Sequence, residues 1–311
     1  MTSSNTAPPP YDRLPLAEGT AMRHAWDVFG ADDRMGTLNF LTPERRRAAL
    51  DVVRRGETIS LTLPLDAPDV PPFAREPLVH EAYAANGFSW GDRIAALDTQ
   101  SSSQWDGLLH VSHGAHGFYG GRRGAASDNR DIGIDAWARS GIIGRGVLVD
   151  VAHHLATSDS LSGRAVASDD ILRMLEAQGT ELRPGDILCL RFGWLEGYLG
   201  LDATDRADYM RRPTCDGVSA VETTAAMLWD RQVAALVSDN PTIESQPGNR
   251  DDGFLHHRLL TMLGMPMGEL FDLDALAAHC HRSQTWDFLF VSVPWHLTGG
   301  VASPANAVAV V

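Results

Sequence analysis

Cysteine is scarce in this sequence. Cys189, Cys215 and Cys280 are the only three in 311 residues, and they form no CxxC pair. A disulfide framework is therefore not expected, and a reduced, cytoplasmic setting fits best. Long apolar runs are missing too. No stretch reaches the roughly 18 residues that a membrane span needs. The opening MTSSNTAPPPYDRLP lacks the charged-then-apolar order of a secretory leader. Its Pro and Ser content makes residues 1–24 read as a flexible lead segment. Positive charge is in deficit, with 26 basic against 40 acidic residues and a net charge of −14. That balance favours solubility and argues against a nucleic-acid partner, which needs a basic face. No repeat of 20–50 residues and no linker interrupts the chain, so residues 25–311 read as one domain.

What is present is enough apolar sequence for a full core. Thr42-Pro43-Glu44 is a helix start, with a capping Thr, Pro at the first helical position and an acid in the first turn; the helix should run to about Arg55. Thr58 to Leu63 is β-branched and alternating, which predicts a strand. Residues 66–92 read as loops with short strands. Further strands are expected at 146–151, 186–192, 233–237, 286–293 and 307–311. Helices are expected near 131–141, 168–179, 218–231, 254–263 and 273–281. Strands alternating with helices from residue 146 onward predict an α/β fold with a central mixed sheet or β-barrel-like core flanked by helices.

Chemistry concentrates in Gln100-Ser-Ser-Ser-Gln104-Trp-Asp106-Gly-Leu-Leu-His110. Gln104 and Asp106 are two apart, the spacing of one face of an extended segment. Asp106 and His110 are four apart, the spacing of one helical turn. An extended-to-helix junction here would converge an amide oxygen, a carboxylate and an imidazole, a set suited to metal binding and proton transfer. On that basis Asp106 and His110 are the expected catalytic pair. The following stretch holds His113, His116 and Tyr119 among glycines that permit close backbone approach. It reads as a pocket wall. Asp239 and Asn240 follow a predicted buried strand, where α/β sheets commonly place ligand contacts. Trp90, Trp105, Trp194 and Trp295 are candidates for an aromatic lining, although core packing is the more ordinary use of a Trp. His296 is a further candidate, and Arg122-Arg123 reads as a solvated loop.

These residues resemble the putative-cyclase family, which includes kynurenine formamidases and isatin hydrolases and carries the motif HxGTHxDxPxH. Asp106 and His110 match its Asp and last His. Its first two His fall on Gln100 and Gln104, and its Pro on Leu108. SSQWDGLLH resembles the tryptophan-aspartate branch of that family. Asp33-Arg-Met-Gly-Thr-Leu-Asn39, Gly144-Arg-Gly-Val-Leu-Val-Asp150, Ser238-Asp-Asn240 and Gly300-Val-Ala-Ser-Pro-Ala-Asn306 resemble its other signatures in consistent order. The resemblance implies an α/β fold, dimers or tetramers, and a divalent-metal site that hydrolyses amide or lactam bonds.

By the same resemblance, His257 of the His256-His257-Arg258 run matches a metal-binding histidine and Glu269 a metal-binding acid. Either histidine could turn inward, and spacing from Glu269 favours His257. An amide oxygen is a weaker zinc ligand than imidazole. With Gln100 and Gln104 in place of histidines, one ion, Mn2+ or Zn2+, is expected rather than two. Its ligands would be Asp106, His257, Glu269 and, weakly, Gln104; a site without metal is the alternative. Expected substrate contacts are Gln104, Trp105, His113, His116, Tyr119 and Asn240. The leading expectation is a cytoplasmic, metal-dependent hydrolase of a small amide, lactam or ester, assembled as a homodimer or homotetramer. The rivals are a cyclase or dehydratase acting on a polyketide-like substrate, and a ligand-binding relic of the fold.

Overall fold

A computed structural model describes residues 7–156 and 159–311. Thirteen strands form in the described residues: β1 Thr58–Ser60, β2 Val79–Ala84, β3 Trp90–Ala96, β4 Gln104–Asp106, β5 Ile142–Asp150, β6 Ala165–Val166, β7 Ile187–Arg191, β8 Gly217–Val218, β9 Ala235–Ser238, β10 Met267–Glu269, β11 Asp287–Ser292, β12 Ala302–Pro304 and β13 Ala307–Val310. Nine of them make one curled mixed sheet in the order β1-β13-β11-β5-β7-β9-β10-β4-β12. β5, β7, β9 and β10 run parallel, and the flanks on both sides are antiparallel. This is the expected α/β class: a central mixed sheet, curled as a half-barrel, flanked by helices. No helix of the described residues is long and apolar enough to cross a membrane.

The eight α-helices of the described residues are α1 Pro43–Ala49, α2 Asp135–Ala138, α3 Val151–Leu155, α4 Ser168–Ala177, α5 Trp194–Leu199, α6 Ala203–Tyr209, α7 Glu222–Asp230 and α8 Asp274–Ser283. α1 begins as its sequence predicts: Thr42 Oγ1 accepts from Arg45 N at 3.3 Å and Pro43 occupies the first turn. It stops at Ala49 and tightens into a 3-10 turn, Leu50–Val52, well short of Arg55. α1, α4 and α8 pack on β5. β5 lies between β7 and β11 and is buried almost throughout, which is why Val147, Leu148 and Val149 are all apolar rather than alternating.

Arg145 on β5 joins Asp186 at 2.7 Å and Asp287 at 2.9 Å, tying β5 to the turn before β7 and to β11. The lead segment does not stand apart. In its described part, residues 7–24, Tyr11 and Leu14 belong to the main core, Tyr11 N donates to Asp230 Oδ1 at 2.7 Å, and Trp229 Nε1 donates to Pro9 O at 2.9 Å. The described part of the expected flexible segment, residues 7–24, is thus anchored to the core through Tyr11 and Leu14, although most of its residues stay exposed; residues 1–6 lie outside the described residues. β2 and β3 form a separate hairpin whose Phe88 and Trp90 are 91% and 76% exposed. Trp90 therefore lines no pocket.

Asp239, just past β9, is fully enclosed and accepts three backbone N–H groups, from Phe192 and Gly193 at 2.7 Å and Trp194 at 3.2 Å. Its carboxylate thereby shapes the turn from β7 into α5 instead of facing a ligand. α5 and α6, which composition alone did not reveal, build a second small core of Leu63, Trp194, Tyr198, Met210, Cys215 and Leu270. Asp239→Ala leaves three buried N–H donors unsatisfied and should cost about 3 kcal/mol or more. Urea unfolding checks this; a loss below about 1 kcal/mol would contradict the assignment.

Candidate active site

β4 is three residues long, yet its register organises the site. It pairs antiparallel with β10 on one side, with Gln104 opposite Glu269 and Asp106 opposite Met267, and with β12 on the other. Strand alternation turns Gln104 and Asp106 to one face and Trp105 to the other. Gln104 Nε2 donates to Glu269 Oε2 across the pair at 2.9 Å. Beyond Asp106 the chain makes a turn, with His110 N donating to Gly107 O at 2.9 Å. The expected helical turn is absent, because the backbone of Gly107 is held to Val301 O. Asp106 and His110 still meet: His110 Nε2 lies 3.6 Å from Asp106 Oδ2. Gln100 Nε2 donates to Asp106 Oδ1 and sits 3.3 Å from the ring nitrogens of His110.

The inward histidine is His256, not His257. His256 is 5% exposed, and its Nε2 lies 3.6 Å from Asp106 Oδ2 and 3.4 Å from Glu269 Oε1. Its Nδ1 is 2.9 Å from both oxygens of Glu244. His257 is half-buried and packs edge-on against His113 and Phe254, with ring centroids 5.0 Å away in each case. The physical reason is the backbone. His256 is the last residue before the π-helix His257–Leu263, and Glu269 lies beyond that helix on β10, so the sequence distance between them carries no helical phase. Gly264, at φ +68°, closes this helix. Its carbonyl accepts from Thr37 N, and a Cβ at Gly36 would lie only 1.8 Å from that oxygen.

The cluster carries more buried acid than base. Asp106, Glu244 and Glu269 are all at most 3% exposed. Burial alone would raise the Asp106 carboxyl, but His110 and His256 outweigh it and hold Asp106 below the usual carboxylate range. Glu269 is pushed up to about 7 by burial, with the nearby Asp106 charge adding to the rise. Burial opposes charge on His256 as well, yet Glu244, Asp106 and Glu269 together hold it well above the usual imidazole range. His110 goes the other way: burial lowers it despite the pull of Asp106.

This arrangement fits a divalent cation. Asp106, His110 and His256 each offer a donor atom, all within 4.8 Å of one another. Asp106 Oδ2 and Gln104 Oε1 are buried acceptors without a hydrogen-bond partner among the described residues. The Glu244 carboxylate behind His256 is the usual outer support of a metal-ligating imidazole, and mixed nitrogen and oxygen donors suit Zn2+ or Mn2+.

Other expected contacts lie elsewhere. Trp105 is fully buried on the core side of β4, donates from Nε1 to Ser292 Oγ at 2.8 Å and packs on Phe271 and Phe290. Tyr119 is fully buried beside Gly264, with its hydroxyl 3.0 Å from Asp33 Oδ2. Asn240 is fully buried, and its Nδ2 donates to Asp216 O at 2.6 Å. These three support structure rather than a pocket wall. Trp194 is a core residue, and His296 is solvent-facing beside Arg139. His113 and His116 stack on each other at 5.1 Å, and His113 reaches the cluster's edge through His257. Glu244 is the residue that sequence reasoning missed, and of the two adjacent histidines it favoured the one that does not face the acids. The tandem His256-His257 was a visible signal; Glu244 gave none.

Residues 59–245, more than half of the chain, match the family described as putative cyclase. The chain belongs to that family. Among solved structures, a novel cyclase is 30% identical, with 93% of this chain and 99% of that one covered and a TM-score of 0.81. Isatin hydrolase A from Ralstonia solanacearum is 15% identical, covering 85% and 94%, with a TM-score of 0.60. Isatin hydrolase A from Labrenzia aggregata is 17% identical, covering 88% and 98%, with a TM-score of 0.58. These last two share the fold. No curated protein sequence matches the chain.

Exchanging His256 for Ala would leave Glu244 and Asp106 buried without their cation, which should destabilise the protein by about 3 kcal/mol or more. His257→Ala should cost about 1 kcal/mol. Paired urea titrations measure both, and equal losses would overturn the assignment of the inward histidine.

Proposed function

We propose that this putative-cyclase family member is a metal-dependent hydrolase that cleaves a C–N or C–O bond in a small amide, lactam or ester. The observation that carries this reading is the buried His256 ringed by Asp106, Glu244 and Glu269, with Asp106 Oδ2 and Gln104 Oε1 lacking a hydrogen-bond partner among the described residues. Asp106, His256 and Glu269 would hold the ion, with Gln104 Oε1 as a weak fourth donor. When bound, a divalent ion there supplies Lewis acidity to a substrate carbonyl and eases deprotonation of water.

His110 has a separate task. Its side chain is 23% exposed while Asp106 is 0% and His256 6% exposed, so it is the member of the triad that an incoming substrate reaches. Burial keeps it neutral near pH 7, which leaves a ring nitrogen free to take a proton from water and return it to the leaving group. Asp106 stabilises the charged form of His110 as the proton arrives, and the Gln100 amide, 3.3 Å from the ring, helps to position it.

A second reading is a cyclase or dehydratase, favoured by the similarity to a novel cyclase. The same His110–Asp106 pair would then remove a proton beside a carbonyl.

Protein purified without added metal should carry about one equivalent of Zn2+ or Mn2+ by mass spectrometry, and it should hydrolyse members of a panel of aryl formamides, lactams and esters. Metal below about a tenth of an equivalent, with activity indifferent to chelator, would sink the metal assignment. Turnover of no panel member would favour the second reading. His110→Ala should lower kcat by about 100-fold or more at unchanged metal content; a fully active variant removes His110 from the mechanism.

A further inference from the structure

Arg75 stands at the edge of the cluster without a role in the chemistry described so far. It lies in Pro71-Pro72-Phe73-Ala74-Arg75, where Phe73 and Ala74 are successive non-glycine residues at positive φ, 60° and 55°. Such backbone is held only where surrounding contacts over-determine it. Here Phe73 N donates to Met210 O at 3.2 Å and Arg75 N to Pro72 O at 3.4 Å. The bend sends the Arg75 side chain across 25 residues of sequence to Gln100, whose backbone carbonyl accepts from Arg75 Nη1 at 2.7 Å. Gln100 is the residue whose side chain touches both Asp106 and His110. The charge of Arg75 accordingly acts on Asp106, Glu269 and His110 together.

Arg75 is half-buried as a residue, and its guanidinium carbon sits 5.5 Å from the centre of the Phe73 ring, which steadies it. It pairs with no acid among the described residues, although this chain has 40 acids for 26 bases. By contrast Arg145 and Arg191, also poorly exposed, each bind two carboxylates at 3.0 Å or less. A guanidinium kept only to offset the cluster's negative charge would sit directly on one of those carboxylates. Arg75 binds a neutral carbonyl instead and keeps the remainder of its five N–H donors. A planar fork of donors matches a carboxylate in shape and charge.

We propose that Arg75 is the specificity-determining residue of this site and that the substrate carries a carboxylate, gripped by its guanidinium while the scissile bond lies over His110. The inference rests on reading the cluster as a substrate site.

Calorimetric titration of the purified protein with benzoate and with benzamide tests it without requiring turnover. Benzoate should bind at least about 10-fold more tightly than benzamide. Arg75→Gln should abolish that preference, and Arg75→Lys, which keeps the charge, should restore part of it. Equal benzoate affinity in the wild type and both variants overturns the proposal, because it assigns the carboxylate to another group such as the metal. Absence of a benzoate preference in the wild type overturns it as well. A parallel panel of amides with and without a carboxylate separates the two readings. No hydrolysis at all counts against the hydrolase assignment, while the benzoate titration still decides Arg75. Where hydrolysis occurs, Arg75→Gln should raise KM about 10-fold or more for the carboxylated amide alone, with kcat within about threefold. An equal fall for both amides would reduce Arg75 to an electrostatic counterweight.

Discussion

Three carboxylates, Asp106, Glu244 and Glu269, converge on the single buried imidazole of His256. Buried acids at this density repel one another and resist desolvation, so the arrangement persists only because cationic and hydrogen-bonding partners surround it. The resulting strain in charge appears in the titration of the groups themselves. Glu269 is pushed up to about 7 by burial, whereas Asp106 is held down against burial by the two histidines at its Oδ2. A divalent ion would relieve the same imbalance, and under the proposed function that would link the stability of the fold to the chemistry of the site.

The sheet is what makes the convergence possible. Asp106 and Gln104 come from β4, Glu269 from β10, Glu244 from the loop after β9, and His256 from the turn leading into a π-helix. Antiparallel pairing of β4 with β10 sets Gln104 against Glu269, and the strand's alternation then commits Trp105 to the core. A one-residue slip of this three-residue strand would put an indole in the site and a carboxylate in the core. The aromatic packing of Trp105 against Phe271 and Phe290 is therefore a condition for the position of Asp106. In the same way, the close approach of Gly36 and Gly264 anchors the end of the π-helix whose start presents His256.

Gln100 and Gln104 distinguish this chain's site. Both donate through their amide nitrogens, Gln100 to Asp106 and Gln104 to Glu269, so each buffers an acid. A neutral amide neither competes for protons near pH 7 nor binds zinc as firmly as imidazole. Two amides in place of imidazoles would favour fewer ions at the site under the proposed function.

Much of this protein could be read along the chain. Capping residues placed the start of α1, unbroken apolar runs marked β5, β7 and β9, and the local spacing of Gln104, Asp106 and His110 brought them to one place. These are short-range consequences of residue type and period. What could not be read depended on groups distant in sequence. The end of α1, the short strands β10 and β12, and the packing of residues 7–24 all follow from neighbours that exist only once the sheet has formed. His256 rather than His257 turned inward at the start of the π-helix, and nothing local announces which of the two adjacent rings meets the acids. Glu244 and Arg75 carry no motif at all. Residue type and local spacing determined by themselves which side chains were available for chemistry; only the tertiary structure decided which of them share a buried volume, because burial and charge pairing are properties of the assembled sheet and not of any segment within it.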